Sequence, residues 1–313
     1  MKNYNKTVAI QSDSIKKINP KTDTTLLLAL EAQRRGYKIY YYETKNLSFS
    51  NYIVYAFAKE VKFSKNKEKF YIFKKSKLLN LSKTNFVLMR QNPPFNIDYI
   101  TATYLLDRVS KKTTVINNPT AVRNMPEKLC SIDFLNLMPP TLFTKSFEEI
   151  KKFKNKYKKI VIKPTHGYGG KNILFVNKSL VEKKINKFIK KHQQVMVQKF
   201  LPQIKYGDKR IFIIGGSIKG AIKRVPKQNS IISNLAQGGK AVKTSLTNKE
   251  TRVAKIVAKK LKKNNIVFAG IDIISNYLTG DINITSPTGL KNFKDLTGKD
   301  LSIDFWDYLE KKF

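Results

Sequence analysis

The sequence predicts an α/β chain: a parallel-sheet domain over residues 1–123, then an α+β region over 124–313. Three observations predict it. An apolar strand, an amphipathic helix and a second apolar strand succeed one another between Thr7 and Tyr42, the order of a β-α-β unit in a parallel layer. Strand and helix signals then recur as far as Asn117. Beyond Pro126 the rhythm changes to short helices and alternating β segments, which places a boundary near residue 123.

Thr7 to Gln11 is the first strand, and Thr22 to Arg35 is a helix closed by Gly36, since Leu26, Leu27, Ala29 and Leu30 recur on one face. Lys38 to Tyr42 is the next strand. Between about residues 46 and 83, short aromatic strands such as Tyr52 to Phe57 and Phe70 to Phe73 alternate with lysine-rich turns and predict a meander at the sheet edge. Asn85 to Arg90 returns to strand, Asp98 to Ser110 is helical, and Thr114 to Asn117 is a strand that stops before Pro119. In the second region Lys159 to Lys163, Ile173 to Val176, Val195 to Phe200 and Lys209 to Ile214 are strands, and Gly215-Gly216 turns a hairpin. Lys227 to Gly239 is polar and glycine-containing, the pattern of a mobile lid. Lys249 to Lys263 is an amphipathic helix, and Val267 to Ile274 and Asp281 to Thr285 form a second hairpin around Ser275 to Gly280.

At 313 residues and 41% hydrophobic content the chain can bury real cores. No run of about 18 uninterrupted apolar residues occurs, and Met1 to Lys6 leads into Thr7 without a long apolar signal core. These features argue against secretion and membrane insertion and for a cytoplasmic protein. The single cysteine, Cys130, cannot form an internal disulfide, which suits a reducing compartment, and with no histidine near it in sequence it reads as a small buried apolar residue. A formal charge of +39 makes nucleic acid the first partner to weigh. However, only eight of the 61 basic residues are arginine, and the lysines are spread along the chain without an Arg-aromatic segment or a zinc-finger spacing, the pattern of solvated faces.

Two constellations carry chemistry. Ile160 to Lys163 is an apolar strand ending in a lysine, and Pro164-Thr165-His166-Gly167-Tyr168-Gly169-Gly170 follows it. A strand fixes Lys163 as a point charge for phosphate oxygens, while glycines let backbone N–H groups approach a polyphosphate. The lysine precedes the glycines, so this is neither a Walker loop nor a dinucleotide fingerprint, and taken alone it also reads as an ordinary hairpin. The second lies near the end, where Asp272 stands among apolar neighbours and Asp281 and Asn283 share one side of the facing strand. Two carboxylates and an amide oxygen suit a magnesium that also touches substrate phosphates.

Together these segments resemble the ATP-grasp superfamily, and within it the prokaryotic glutathione synthetase family over nearly the whole chain. The resemblance is carried by Leu30-Glu31-Ala32-Gln33-Arg34-Arg35-Gly36-Tyr37, Met89-Arg90-Gln91-Asn92-Pro93-Pro94-Phe95, Glu127-Lys128-Leu129 and the glycine loop. Gln198-Lys199-Phe200-Leu201-Pro202, Gly207-Asp208-Lys209-Arg210, Asn234 to Gly239 and Asn283 to Thr288 extend it. It implies a Rossmann-like, pre-ATP-grasp domain over 1–123 and a two-lobed ATP-grasp domain over 124–313, with a small lobe to about 200 and a C-terminal lobe carrying the lid.

The resemblance also implies roles. ATP, the co-substrate, would lie between the lobes against Lys128, Lys163, Gly167, Gly169, Gly170 and Asp208, with Gln198, Lys199, Phe200 and Leu201 on the adenine side. Arg210 and Arg224 would be catalytic, meeting the γ-phosphate and an acyl phosphate. Asp272, Asp281 and Asn283 would hold Mg2+, or Mn2+ in its place. Arg90, Tyr104 and Asn117 would hold γ-glutamylcysteine, and Ser286 and Thr288 the incoming glycine. The implied activity is ATP-dependent formation of glutathione by a homo-oligomer. Departures from the family pattern fall near the chemistry. Gln91, Asn92 and Asn96 stand where the family has lysine and two aspartates, the lid stretch Lys227 to Ser233 is less glycine-rich, and Asp281 with an extra Gly280 replaces a glutamate. Two readings compete: an ATP-grasp ligase for another peptide-like substrate, and a basic nucleic-acid-binding protein on a ligase fold.

Overall fold

The structure is a computed structural model that describes residues 6–66, 68–109, 111–228, 230 and 232–313. The described residues form three sheets. The first domain contains β1 (Thr7–Gln11), α1 (Thr24–Arg34), β2 (Lys38–Tyr42), β3 (Leu47–Ser50), β4 (Ile53–Phe63), β5 (Tyr71–Asn80), β6 (Phe86–Met89), α2 (Ile97–Leu106), β7 (Thr114–Ile116) and α3 (Pro119–Asn124). Its sheet runs β3-β4-β2-β1-β6-β7, with β5 paired to β4; β2, β1, β6 and β7 are parallel. The expected meander is longer than its aromatic runs suggest: β4 continues through Lys59 and Lys62 at its exposed positions, and β5 runs on through Lys74, Lys75 and Lys77 in a stretch, 74–78, that is exposed on both faces. The helix expected over Asp98 to Ser110 ends at Leu106, and Ser110 itself lies outside the described residues, as do Met1 to Asn5.

A small lobe follows, built from β8 (Thr141–Thr144), α4 (Phe147–Tyr157), β9 (Ile160–Pro164), β10 (Leu174–Val176), α5 (Glu182–His192) and β11 (Val195–Lys199), in the antiparallel order β10-β9-β11-β8. The last lobe holds β12 (Asp208–Ile214), β13 (Ser217–Val225), β14 (Lys240–Lys243), α6 (Asn248–Lys263), β15 (Phe268–Ile274), β16 (Tyr277–Asn283), α7 (Leu290–Thr297) and α8 (Leu301–Lys312), in the order β14-β13-β12-β15-β16. Thr247 and Glu250 cap α6 reciprocally, and its buried stripe of Val253, Ala254, Val257, Ala258 and Leu261 packs on that sheet.

The cores separate these bodies unequally. One cluster joins Ala9, Tyr42 and Met89 of the first sheet to Ile211, Ile271 and Ile282 of the last, and a second joins Val8, Ile10 and α1 to Phe305 and Trp306 of α8. The small lobe instead has a private core of Ile150, Ile160, Ile162, Ile185, Val195 and Val197. The first and last lobes thus form one packed platform, and the small lobe is a separate cover.

The second hairpin differs from the expected one. Its turn is Ser275-Asn276, both at positive φ (45° and 73°), so β16 begins at Tyr277. Gly280 is not a turn residue. It lies in a bulge where the register slips between Ile271 and Ile273, at φ +87°, and a Cβ there would stand 2.7 Å from Met196 Cε and 2.9 Å from Met138 Cε. Bulges re-aim the side chains beside them, and here the neighbour is Asp281. Gly280→Ala is expected to destabilise the protein by about 2 kcal/mol and to raise the KM for the nucleotide. A thermal melt matching wild type would show that the strand absorbs the side chain.

Candidate active site

Sheet register assembles the charged centre. Asp208 on β12 sits directly opposite Arg224 on β13, and Arg210 sits opposite Asp272 on β15, so all four side chains point to one face. Arg210 grips Asp272 with two hydrogen bonds of 2.8 Å, from Nε and Nη2. Arg224 donates from Nε to Asp208 at 2.9 Å and from Nη2 to the other oxygen of the same carboxylate, and its Nη2 lies 2.9 Å from Asp272. All four residues are buried.

Across the cleft, the strand β9 presents Lys163, whose Nζ donates to the Thr279 carbonyl at 3.1 Å and lies 3.6 Å from Asp281. Lys128 approaches the other oxygen of Asp281 at 3.2 Å and donates to the Gly167 carbonyl of the glycine loop. The lysine ahead of the glycine loop and the acids more than a hundred residues later therefore meet in one cleft. Its empty volume is about 860 Å³. Apolar side chains, Val161, Ile173, Phe200, Leu201, Ile204 and Ile274, line it as well.

Burial alone would raise the Asp281 carboxyl, but Lys128 and Lys163 hold it well below the usual carboxylate range. Asp272 behaves likewise: burial opposes ionisation, and Arg210 and Arg224 overcome it. Burial lowers the Lys163 ammonium although Asp281 supports it. Arg224 rises above its ordinary value because Asp208 and Asp272 outweigh its burial. The cleft thus holds ionised groups of both signs paired with one another, and a ligand carrying both charges can exchange with them.

Gly167 and Gly170 line the cleft and Gly169 turns the loop between them at φ +64°. At Gly170, at φ +74°, a Cβ would lie 2.5 Å from Asn234 Oδ1 and 2.8 Å from Ile232, so the segment expected as a lid rests on the glycine loop. Ile232, Ser233 and Asn234 line the cleft, whereas Asn229 and Ile231 of that segment lie outside the described residues. Gln198, Lys199, Phe200, Leu201 and Asp208 also line it, although the Gln198 amide is occupied by Thr141 at 3.0 Å.

The acids fit a hard divalent ion. Asp272 and Asp281 are ionised and line the cleft, whereas Asn283, two residues along from Asp281, is outside that lining and spends Nδ2 on the Gly270 carbonyl at 3.0 Å. Among the described residues no group of three or more His, Cys, Asp or Glu side chains is arranged for a metal, so such an ion would draw its remaining ligands from phosphates and water.

A second pocket of about 440 Å³ adjoins this centre and brings together Arg90, Ser286 and Thr288. Thr288 accepts from Arg210 Nη1 at 3.3 Å, which links the two sites. Arg90 is buried, donates to Thr25 Oγ1 at 3.1 Å and to the Pro287 carbonyl at 2.9 Å, and burial pulls its pKa down to about 10. Two expected substrate residues are placed elsewhere. Asn117 donates to the Phe268 and Ile284 carbonyls and accepts from the Val267 and Phe268 N–H groups, at 2.6–2.9 Å, so its amide staples the first domain to the last. Its hydrogen-bonding positions are used, and a substrate would have to break that staple. Tyr104 is exposed on α2, with the Arg123 guanidinium 3.9 Å over its ring, and lies in neither pocket lining.

Several site residues carry no signal in the sequence reading. Thr25 and Asp23 enter the Arg90 pocket from the start of α1, and half-buried Glu127 accepts from Thr285 Oγ1 at 2.6 Å, with desolvation raising its pKa. Glu127 is adjacent to Lys128 in a recognisable motif, the one clue to it. Cys130 is buried, which pushes its thiol up to about 12, as expected of a packing residue. Among the described residues, no helix is long and apolar enough to cross a membrane.

Comparison with known proteins agrees with this architecture. Residues 7–123 match the family model for the prokaryotic glutathione synthetase N-terminal domain, and residues 127–298 match the one for its ATP-grasp domain. A glutathione synthetase of Rhodopseudomonas palustris is 38% identical over 311 residues, spanning 97% of this chain and 98% of that relative. Among solved structures, D-cycloserine synthetase DcsG aligns with a TM-score of 0.67 at 14% identity, over 97% of this chain and 99% of its own. The ATP-grasp ligase PsnB, solved with its minimal precursor, aligns at 0.63 and 16%, over 98% and 99%. At such identities the structures speak for the fold, an ATP-grasp ligase fold, and the sequence matches speak for the family. By those sequence matches, this chain belongs to the prokaryotic glutathione synthetases.

Proposed function

We propose that this chain joins γ-glutamylcysteine to glycine at the expense of ATP, through an acyl phosphate, releasing ADP, phosphate and glutathione. The observation that carries the reading is the meeting of Lys128, Lys163, Asp281, Asp272 and Arg224 in one cleft that Val161, Ile173, Phe200 and Leu201 also line, with Arg210 paired to Asp272. The charged groups suit a triphosphate and the apolar lining suits an adenine.

The protein's part is positioning and charge neutralisation. As nucleotide enters, Lys128 and Lys163 exchange Asp281 for phosphate oxygens. Asp281 and Asp272 would then hold magnesium, or manganese, which when bound neutralises phosphate charge and orients the γ-phosphoryl group. Arg210 and Arg224 stabilise the charge spread over the transferred phosphoryl group with planar, permanently charged donors. The cysteinyl carboxylate oxygen attacks the γ-phosphorus and the bond to ADP breaks. The glycine amine then attacks the acyl carbon and phosphate leaves with its oxygen. Arg90 holds the acid substrate beside Arg210, and Ser286 and Thr288 border the path of the amine.

Incubation of the purified protein with ATP, magnesium, γ-glutamylcysteine and glycine should yield glutathione by mass spectrometry, in step with ADP. ADP release without a tripeptide would overturn the proposal. The segment from Lys227 to Gly239 shields the acyl phosphate from water. Shortening it should raise ADP formed per peptide bond severalfold, and an unchanged ratio would remove it from that role.

A further inference from the structure

The strands β1 and β6 are parallel neighbours, yet their following helices cover opposite faces of the sheet: α1 packs on Val8 and Ile10, α2 on Ala9, Tyr42 and Met89. Such a switch in direction leaves a crevice beyond the carboxyl ends of the strands. The chain fills that crevice with polar side chains. On the α2 side, Gln11 aligns with Tyr42 in the ladder, Gln91 follows Met89 by two residues, and Tyr99 comes down from α2.

Gln11 Nε2 donates to Gln91 Oε1 at 2.9 Å, and the remaining polar atoms, Gln11 Oε1, Tyr42 OH, Gln91 Nε2 and Tyr99 OH, have no partner. All four residues are at most 5% exposed. Leaving such groups unpaired is costly, and several in one place call for a polar ligand. Gln91 and Tyr99 line an opening of about 1080 Å³, and Asp13 and Asp98 also border it. Burial pushes the Tyr99 phenol well above its usual range, so it is a hydrogen-bond donor at neutral pH. Two buried donors suit a carboxylate, and two carboxylates around the opening suit an ammonium. Asp13 and Asn92 line both this crevice and the Arg90 pocket, whose Thr288 accepts from Arg210, so the crevice neighbours the pocket that borders the reacting centre.

We infer that this crevice holds the α-amino-carboxylate head of the acid substrate, with Gln91 and Tyr99 donating to its carboxylate and Asp13 and Asp98 facing its ammonium. The inference rests on the peptide-ligase function proposed above and makes Gln91 and Tyr99 specificity residues remote from the chemistry.

The test is Tyr99→Phe, which removes only a hydroxyl without a partner, so the thermal midpoint should hold or rise. With γ-glutamylcysteine its KM should rise about tenfold while kcat stays within about twofold, as for one lost charge-assisted hydrogen bond. With 4-aminobutanoylcysteine, which lacks the α-carboxylate, wild type should already show the raised KM and Tyr99→Phe should add nothing. Equal KM values for the two dipeptides in wild type, or an equal effect of Tyr99→Phe on both, would overturn the inference and leave the ligase function standing. Absence of any product from wild type with γ-glutamylcysteine would overturn the function and the inference together.

Discussion

Replacing Arg210 with lysine is expected to lower kcat by about 10³-fold, with the KM for ATP changed by less than about threefold. The guanidinium sits between two partners, Asp272 through Nε and Nη2 and Thr288 through Nη1, and so spans the nucleotide centre and the Arg90 pocket. Lysine keeps the charge and keeps Asp272 paired, so the fold should survive, but a single ammonium cannot reach both sides of a transferring phosphoryl group at once. The loss therefore falls on the transition state rather than on binding. Steady-state and single-turnover kinetics check it. A kcat within tenfold of wild type would place Arg210 among structural ion pairs.

Asp281→Asn separates two roles that the geometry gives to one carboxylate. Without nucleotide, Asp281 neutralises both Lys128 and Lys163. With that charge gone the two buried ammonium groups face each other unpaired, and the protein should lose about 3 kcal/mol of stability. ATP added in the presence of a chelator should then bind more tightly than to wild type, since no carboxylate competes for the lysines. Turnover with magnesium should nonetheless fall at least about 10²-fold, because the site has lost half its formal negative charge. Calorimetric titration with and without magnesium reads both signs. Weaker binding of metal-free ATP to the variant would contradict the partner exchange.

How much of this was visible in the sequence follows from which interactions are local. The opening strands Thr7–Gln11 and Lys38–Tyr42 and the strand before the glycine loop were legible because apolar runs and their bounding glycines are neighbours in the chain. The small-lobe helices α4 and α5 were not, since their lysine-rich faces hide narrow stripes in which Ile150 and Ile185 alone are fully buried. In the last hairpin, Gly280 drew the turn toward itself, whereas Ser275 and Asn276 take up the positive φ and the glycine serves a bulge under two methionines. The charged residues of the site could be nominated through family resemblance, but their pairing could not. Arg210 with Asp272 and Arg224 with Asp208 depend on strand register, a long-range property that no window of sequence contains. The same holds for Asn117, a plausible polar ligand in sequence that serves as a staple between domains.

A co-crystal structure with a non-hydrolysable ATP analogue and Mn2+, phased at the manganese edge, would locate nucleotide and metal together. The β- and γ-phosphates should lie within hydrogen-bonding distance of Lys128 and Lys163, with an anomalous peak between those phosphates and the carboxylates of Asp272 and Asp281. A nucleotide bound away from either group, or manganese on a carboxylate outside this cleft, would contradict this arrangement.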